Sequence, residues 1–135
     1  MPTLFLRCAA SDNGGITNVR LSNDIRSQNL RLLTAVIQRS SNSYTDDSVG
    51  VQLPFLGADQ FHSSLRKGEL QFPVDKLSGS RITVLNFGMG LPLEIDHIDE
   101  AFSIKLVNAS GVGITTSDNM DFVDLYFSYE THSLF

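Results

Sequence analysis

The sequence predicts an all-β protein: a β-sandwich of about eight antiparallel strands in two sheets, forming one domain over residues 1–135. Three observations lead there. Short segments alternate apolar and polar residues, as in Phe102-Ser103-Ile104-Lys105-Leu106, where Phe102, Ile104 and Leu106 would face a core and Ser103 and Lys105 would face water. Clusters of Gly, Asn, Asp and Ser separate these segments at spacings of about twelve residues. Finally, 41% of residues are hydrophobic and only 19% are charged, which fits a packed domain or one with protein-covered surfaces.

Taken in order, Leu4-Phe5-Leu6-Arg7-Cys8 reads as a first strand, and Asp12-Asn13-Gly14-Gly15 as a turn whose glycines admit positive φ. Residues 16–21 run back, and residues 24–29 make a connecting loop. The longest apolar run, residues 30–39, carries apolar side chains on both faces near its middle. A strand covered on both sides would read this way, and period alone leaves a short helix open. Residues 40–48 are polar and without period, hence a surface loop.

Val49, Val51, Leu53 and Phe55 alternate with Gly50, Gln52, Pro54 and Leu56, and Pro54 marks an edge or an end. Asp59 is placed to cap a short helix in which Phe61 and Leu65 share a face, closed by Lys67-Gly68. Leu70, Phe72 and Val74 restore the period of two. Residues 81–87 form a strand rich in β-branched residues, Gly88-Met89-Gly90 breaks it, and Leu91, Leu93 and Ile95 give a further short strand distorted by Pro92. Residues 102–107 follow the acidic bend at His97-Ile98-Asp99-Glu100, and Val112-Gly113-Ile114-Thr115 is a minor strand candidate. In the last strand, residues 122–130, Val123, Leu125, Phe127 and Tyr129 face one way and Phe122, Asp124, Tyr126, Ser128 and Glu130 the other.

No fixed-period repeat suggests a propeller or solenoid, and the lack of Trp and of a cysteine pair argues against an immunoglobulin domain. A single jelly roll suits this strand number together with long connections such as residues 40–48 and 57–67.

The formal net charge of −5 opposes a protein that binds nucleic acid or an anionic membrane surface non-specifically. No run reaches the length of a membrane span, and the opening residues are too short for a secretory apolar region. Cys8 is the only cysteine, so an intrachain disulfide is excluded; its alternation with Leu4 and Leu6 makes it a core residue.

Catalytic, metal and cofactor constellations are not expected, and the protein is not expected to be an enzyme. Asp96, His97, Asp99 and Glu100 form the densest titratable cluster, but strand alternation separates Asp96 from His97 and a solvated turn explains the charge. Asp118-Asn119-Met120-Asp121 lacks the Gly and distal Glu of a calcium loop. Gly88-Met89-Gly90 and Gly111-Val112-Gly113 lack the strand-to-helix context that holds a phosphate and read as bends. His62, His97 and His132 are scattered, and Asn108-Ala109-Ser110 is a formal glycosylation sequon with no secretory signal before it. What remains is a surface for protein contact: Phe122 and Tyr126 on the second face of the last strand, with Leu134 and Phe135 in the apolar tail.

The order Leu4-Phe5-Leu6, polar turn, Thr17-Asn18-Val19-Arg20-Leu21, loop, then Leu30-Arg31-Leu32-Leu33-Thr34-Ala35-Val36-Ile37 resembles the beginning of single-jelly-roll minor capsid (penton) proteins of virophages, Polinton-like viruses and related double-stranded DNA viruses. Val51-Gln52-Leu53-Pro54-Phe55-Leu56, a long loop, and residues 70–74 continue that layout; these proteins often carry a Trp or Tyr soon after the third strand, and this sequence departs from that pattern, with only Tyr44 available. The resemblance implies a structural virion protein in an icosahedral capsid, a homo-oligomer such as a vertex pentamer that meets a major capsid protein and needs no cofactor. The alternative is a carbohydrate- or receptor-binding sandwich, such as a viral or phage fibre head, with Tyr126 and Asp124 offered to a sugar.

Overall fold

A computed structural model describes residues 3–21, 30–56, 68–77, 79–93, 95 and 98–129. The alternating segments become eight strands: β1 (Thr3–Ala9), β2 (Ile16–Arg20), β3 (Leu30–Gln38), β4 (Ser48–Gln52), β5 (Glu69–Pro73), β6 (Ile82–Leu93), β7 (Ala101–Asn108) and β8 (Phe122–Ser128). They pair into two four-stranded sheets in the orders β1-β8-β3-β6 and β2-β7-β4-β5, every neighbour antiparallel. Each sheet interleaves strands from both halves of the chain, so most connections cross between sheets. That is the jelly-roll arrangement, and the expected fold class holds.

Inner rows meet between the sheets. In the first sheet Leu4, Leu6 and Cys8 lie opposite Phe127, Leu125 and Val123, which in turn neighbour Leu32, Ala35 and Ile37. All nine are buried, as are Val49, Val51, Leu70, Phe72, Ile104 and Leu106 of the second sheet. Burial of these aliphatic and aromatic side chains is the main force holding the sandwich closed. Phe55 meets Phe102 edge to face at 5.5 Å, extending the core beyond the end of β4.

Four strand expectations change. The two-sided run at residues 30–39 is one strand with a shifted phase: register slips between Leu32 and Thr34 against both neighbours, so Leu30 and Leu32 point inward before the slip and Ala35 and Ile37 after it. An extra residue, Leu33, mimics a doubly apolar strand. Gly88-Met89-Gly90 does not end a strand; residues 87–90 stand opposite Leu33 alone, and the ladder resumes at Leu91. Gly88 at φ 61° and Gly90 at φ 105° let the backbone leave and rejoin the ladder, which residues with a Cβ resist. β4 stops at Gln52, just before Pro54, with Leu53, Phe55 and Leu56 buried in the turn that follows. Residues 112–115 contribute only an isolated bridge, Gly113 to Val107, where Gly113 packs against the Gly14 carbonyl too closely for any side chain. The short helix expected after Asp59 falls outside the described residues.

Arg39, just past β3, is buried, and its guanidinium donates to the backbone carbonyls of Asp75 and Ser80. Its own backbone N–H donates to the Arg81 carbonyl. These bonds tie the β5–β6 connection onto the end of β3.

Cys8 is buried as a core residue and free. Burial pushes its thiol from an ordinary 9.0 up to about 12. The folded chain therefore keeps a proton that the unfolded chain releases near pH 9, so the stabilising contribution is complete below pH 9 and disappears as pH rises towards 12. Burial also raises the Tyr44 phenol, whose hydroxyl donates to the Ser48 carbonyl, in the same direction. The unfolding free energy measured in urea should fall above pH 9, with a Cys8 share of up to about 4 kcal/mol across that window. Cys8→Ala should flatten the alkaline slope, and the native thiol should be inert to Ellman's reagent. A wild-type slope retained in full by the variant would contradict this account.

Candidate protein-contact face

Where β1, β8, β3 and β6 turn their second face outward, the register sets three rows across the sheet. They are Phe5–Tyr126–Thr34–Asn86, Arg7–Asp124–Val36–Val84 and Ala9–Phe122–Gln38–Ile82. Four of these side chains are large, apolar and open to solvent: Phe5 (49%), Tyr126 (42%), Val84 (53%) and Ile82 (49%). Together they place apolar surface at both sides of one sheet face.

The centre of the face is an ion pair. Arg7 Nε and Nη2 donate to the two carboxylate oxygens of Asp124 at 2.7 and 2.8 Å, and Asp124 is buried beneath its partner. The Asp124 hydrogen bond raises the Arg7 pKa against the lowering effect of desolvation. The same guanidinium lies 4.0 Å from the centre of the Phe122 ring, a cation–π contact that half-covers that ring. Phe5 and Tyr126 stack with ring centres 5.0 Å apart, Thr34 Oγ1 donates to Asn86, and Gln38 Nε2 donates to Asp121. Within the three rows the charges cancel, so the middle of the face is neutral.

The opposite outer face differs. On β2-β7-β4-β5, Ser103 donates to Asn18, Ser48 to Gln71, and Gln52 and Gln71 to the buried Glu69, while Arg20 faces Glu100 at 3.6 Å. Gly50 leaves the space that the Gln71 amide occupies. Polar side chains satisfy one another along this sheet.

Of the residues expected to make contacts, Tyr126 is exposed and Phe122 is half-buried under Arg7 on the same face. Leu134 and Phe135 lie outside the described residues. Phe5, Ile82 and Val84 were not singled out by sequence reasoning. The available signal was their outward phase beside Leu4, Leu6 and Thr83, but strand pairing was needed to bring them together.

Other candidates resolve into turn chemistry. Asp118 accepts from the Thr115 N–H and hydroxyl at 2.8 and 3.1 Å, and Asn108 accepts from the N–H groups of Ser110 and Val112. Among the described residues, no group of three or more His, Cys, Asp or Glu side chains is placed to hold a metal ion. Asp96, His62, His97 and His132 lie outside those residues.

No family model matches the sequence, and no curated protein matches it. Among solved structures, the chain is similar to a chain of the tomato aspermy virus structure, determined by X-ray crystallography, at 10% identity and a TM-score of 0.31; 99% of this chain and 80% of that one are covered.

Arg7→Leu alone leaves the Asp124 carboxylate buried without its bidentate partner and uncovers Phe122, so the thermal midpoint should drop by about 3–6 °C and binding of a hydrophobic dye to the native protein should rise. Asp124→Leu alone should also lower the midpoint, whereas the double variant Arg7→Leu with Asp124→Leu should regain most of the loss. Additive losses in the double variant would show that the pair is not coupled.

Proposed function

We propose that the chain is a structural virion protein: a single-jelly-roll shell subunit that acts by protein–protein contact and not by catalysis. The asymmetry between its outer faces carries this reading. One face is mainly polar and internally hydrogen-bonded, with Ile16 as an exposed apolar side chain at its β2 edge, while the other presents four such side chains, Phe5, Tyr126, Ile82 and Val84, around a charge-neutral centre. Apolar side chains concentrated on one face and aligned by register are the raw material of an interface core, for which aromatic anchors supply most of the energy. The jelly roll suits the role because its core is complete without a ligand and leaves whole sheet faces free for neighbours.

In the finer form of the proposal the subunit is a penton-type minor capsid protein. It assembles with copies of itself, as a pentamer at shell vertices, and meets a major capsid protein. The order of the first three strands and the β4–β5 layout support that form through their resemblance to virophage and Polinton-like penton proteins.

A glycan-binding role is less well supported. Both Asp124 oxygens are taken by Arg7, and the carboxylate is buried, so the Tyr126–Asp124 pair offers a stacking ring without a free hydrogen-bonding acid.

Sedimentation velocity over a wide concentration range should show the chain associating. Phe5→Ser combined with Tyr126→Ser should weaken that association by roughly ten- to a hundredfold while the fold, read by circular dichroism, is kept. A strictly monomeric wild-type chain at high concentration, with binding on a glycan array, would replace the shell reading with carbohydrate recognition.

A further inference from the structure

The four edge strands of the sandwich are not alike. β1 carries Arg7, β2 carries Arg20, and β5 carries Glu69 and ends in Pro73, whereas β6 runs from Ile82 to Leu93 without a charged residue, its proline, Pro92, lying beyond the excursion at residues 87–90. Charges and prolines are the ordinary devices that stop one sheet edge from pairing with another. Among the described residues β6 meets one ladder neighbour, β3, along residues 82–86 before the excursion at residues 87–90.

The hydrogen bonds show which backbone groups face away. Ser80 Oγ accepts from the Ile82 N–H and donates to the Ile82 carbonyl, both at 3.2 Å, so these groups point away from β3. Alternation along an antiparallel strand then turns the N–H and C=O of Val84 and Asn86 to the same open side, while those of Thr83 and Leu85 face β3. Ser80 closes the first pair of groups; among the described residues, no hydrogen bond reaches the outward backbone of Val84 or Asn86.

We propose that this edge pairs with β6 of a second copy of the chain, antiparallel and two-fold related. Val84 would lie opposite Asn86 of the second copy, and Asn86 opposite its Val84. The arrangement makes about four ladder hydrogen bonds, leaves the Ser80 cap in place and sets Leu85 opposite its own counterpart across the two-fold axis. Two features select a second copy over a foreign strand. The open run is short and self-complementary in this register, with an equal number of donors and acceptors on each side. In a chain of net charge −5, β6 is also the edge along which two copies meet without facing like charges. Pairing joins two sheets into one and continues the outer rows from Val84 and Ile82 into the neighbour.

This pairing is independent of the apolar face, and amide exchange separates the two. Raising the protein concentration should slow exchange at Val84 and Asn86 at least tenfold and leave Thr83 and Leu85 unchanged. Val84→Pro removes an outward N–H and no bond to β3, so it should lower the dimer association constant at least tenfold in sedimentation equilibrium while the unfolding midpoint stays close to wild type. If that variant does not fold, Asn86→Lys places a charge in the joint and should have the same effect on association. Phe5→Ser with Tyr126→Ser should preserve the concentration-dependent protection of Val84. Fast exchange at Val84 at every concentration, or a dimer that survives Val84→Pro or Asn86→Lys with unchanged affinity, would overturn the pairing. Loss of dimer only in the Phe5/Tyr126 variant would assign association to the face instead.

Discussion

A strand has two faces, and a sandwich of two four-stranded sheets buries one face of each strand. A slip of a single residue in any strand would turn its inner row to water and its outer row into the core. The constraint is tightest at β8, which lies between β1 and β3 and sends Val123, Leu125 and Phe127 into full burial. Those three side chains set the phase of both neighbours: Cys8, Leu6 and Leu4 on one side, and Ile37, Ala35 and Leu32 on the other. Leu33 absorbs the phase change that β3 needs to stay in register along its length. Without that bulge, either Leu30 and Leu32 or Ala35 and Ile37 would face outward.

Fixing the inner rows also fixes the outer ones, and there the two sheets diverge. On the second sheet, amides, hydroxyls and the buried Glu69 bond laterally, so most of that face's polar groups are satisfied within the chain. On the first sheet the ion pair of Arg7 with Asp124 joins adjacent strands and cancels its own charge. A carboxylate held by both oxygens is a poor ligand for anything else. In the proposed shell subunit the ion pair would therefore supply no binding specificity of its own and would leave contact to Phe5, Tyr126 and the β6 aliphatics.

Legibility followed the same physics. Residues 102–106 and 122–129 could be read directly because one face is apolar throughout and the turns beside them carry Gly, Asp or Ser. Residues 30–37 were legible as strand but not as to their faces, because a bulge and a doubly covered strand leave the same composition behind. The glycines at 88 and 90 were visible, yet a glycine permits a chain to end a strand or to loop out and return, and only the Leu32–Leu91 pairing distinguishes the two. Phe122 and Tyr126 were found because they share a strand. Phe5, Ile82 and Val84 were missed because their neighbourhood is made by pairing between strands far apart in sequence.

The apolar face and the open edge meet at β6, and the buried Arg39 links them to the core. Its guanidinium holds the carbonyls of Asp75 and Ser80, which places the Ser80 hydroxyl where it can bond both backbone groups of Ile82. A buried cation in a β-sandwich is costly, and here Nη2 of Arg39 orders the connection that delivers β6 to the edge while its Nε finds no hydrogen-bond partner among the described residues. The Ser80 hydroxyl closes the edge at its start, and the excursion at residues 87–90 interrupts it further on. The segment between them, at Val84 and Asn86, keeps the geometry of an unfilled ladder. A strand blocked at both ends accepts a short partner in a restricted register, which is how an open edge acquires specificity instead of a general tendency to aggregate.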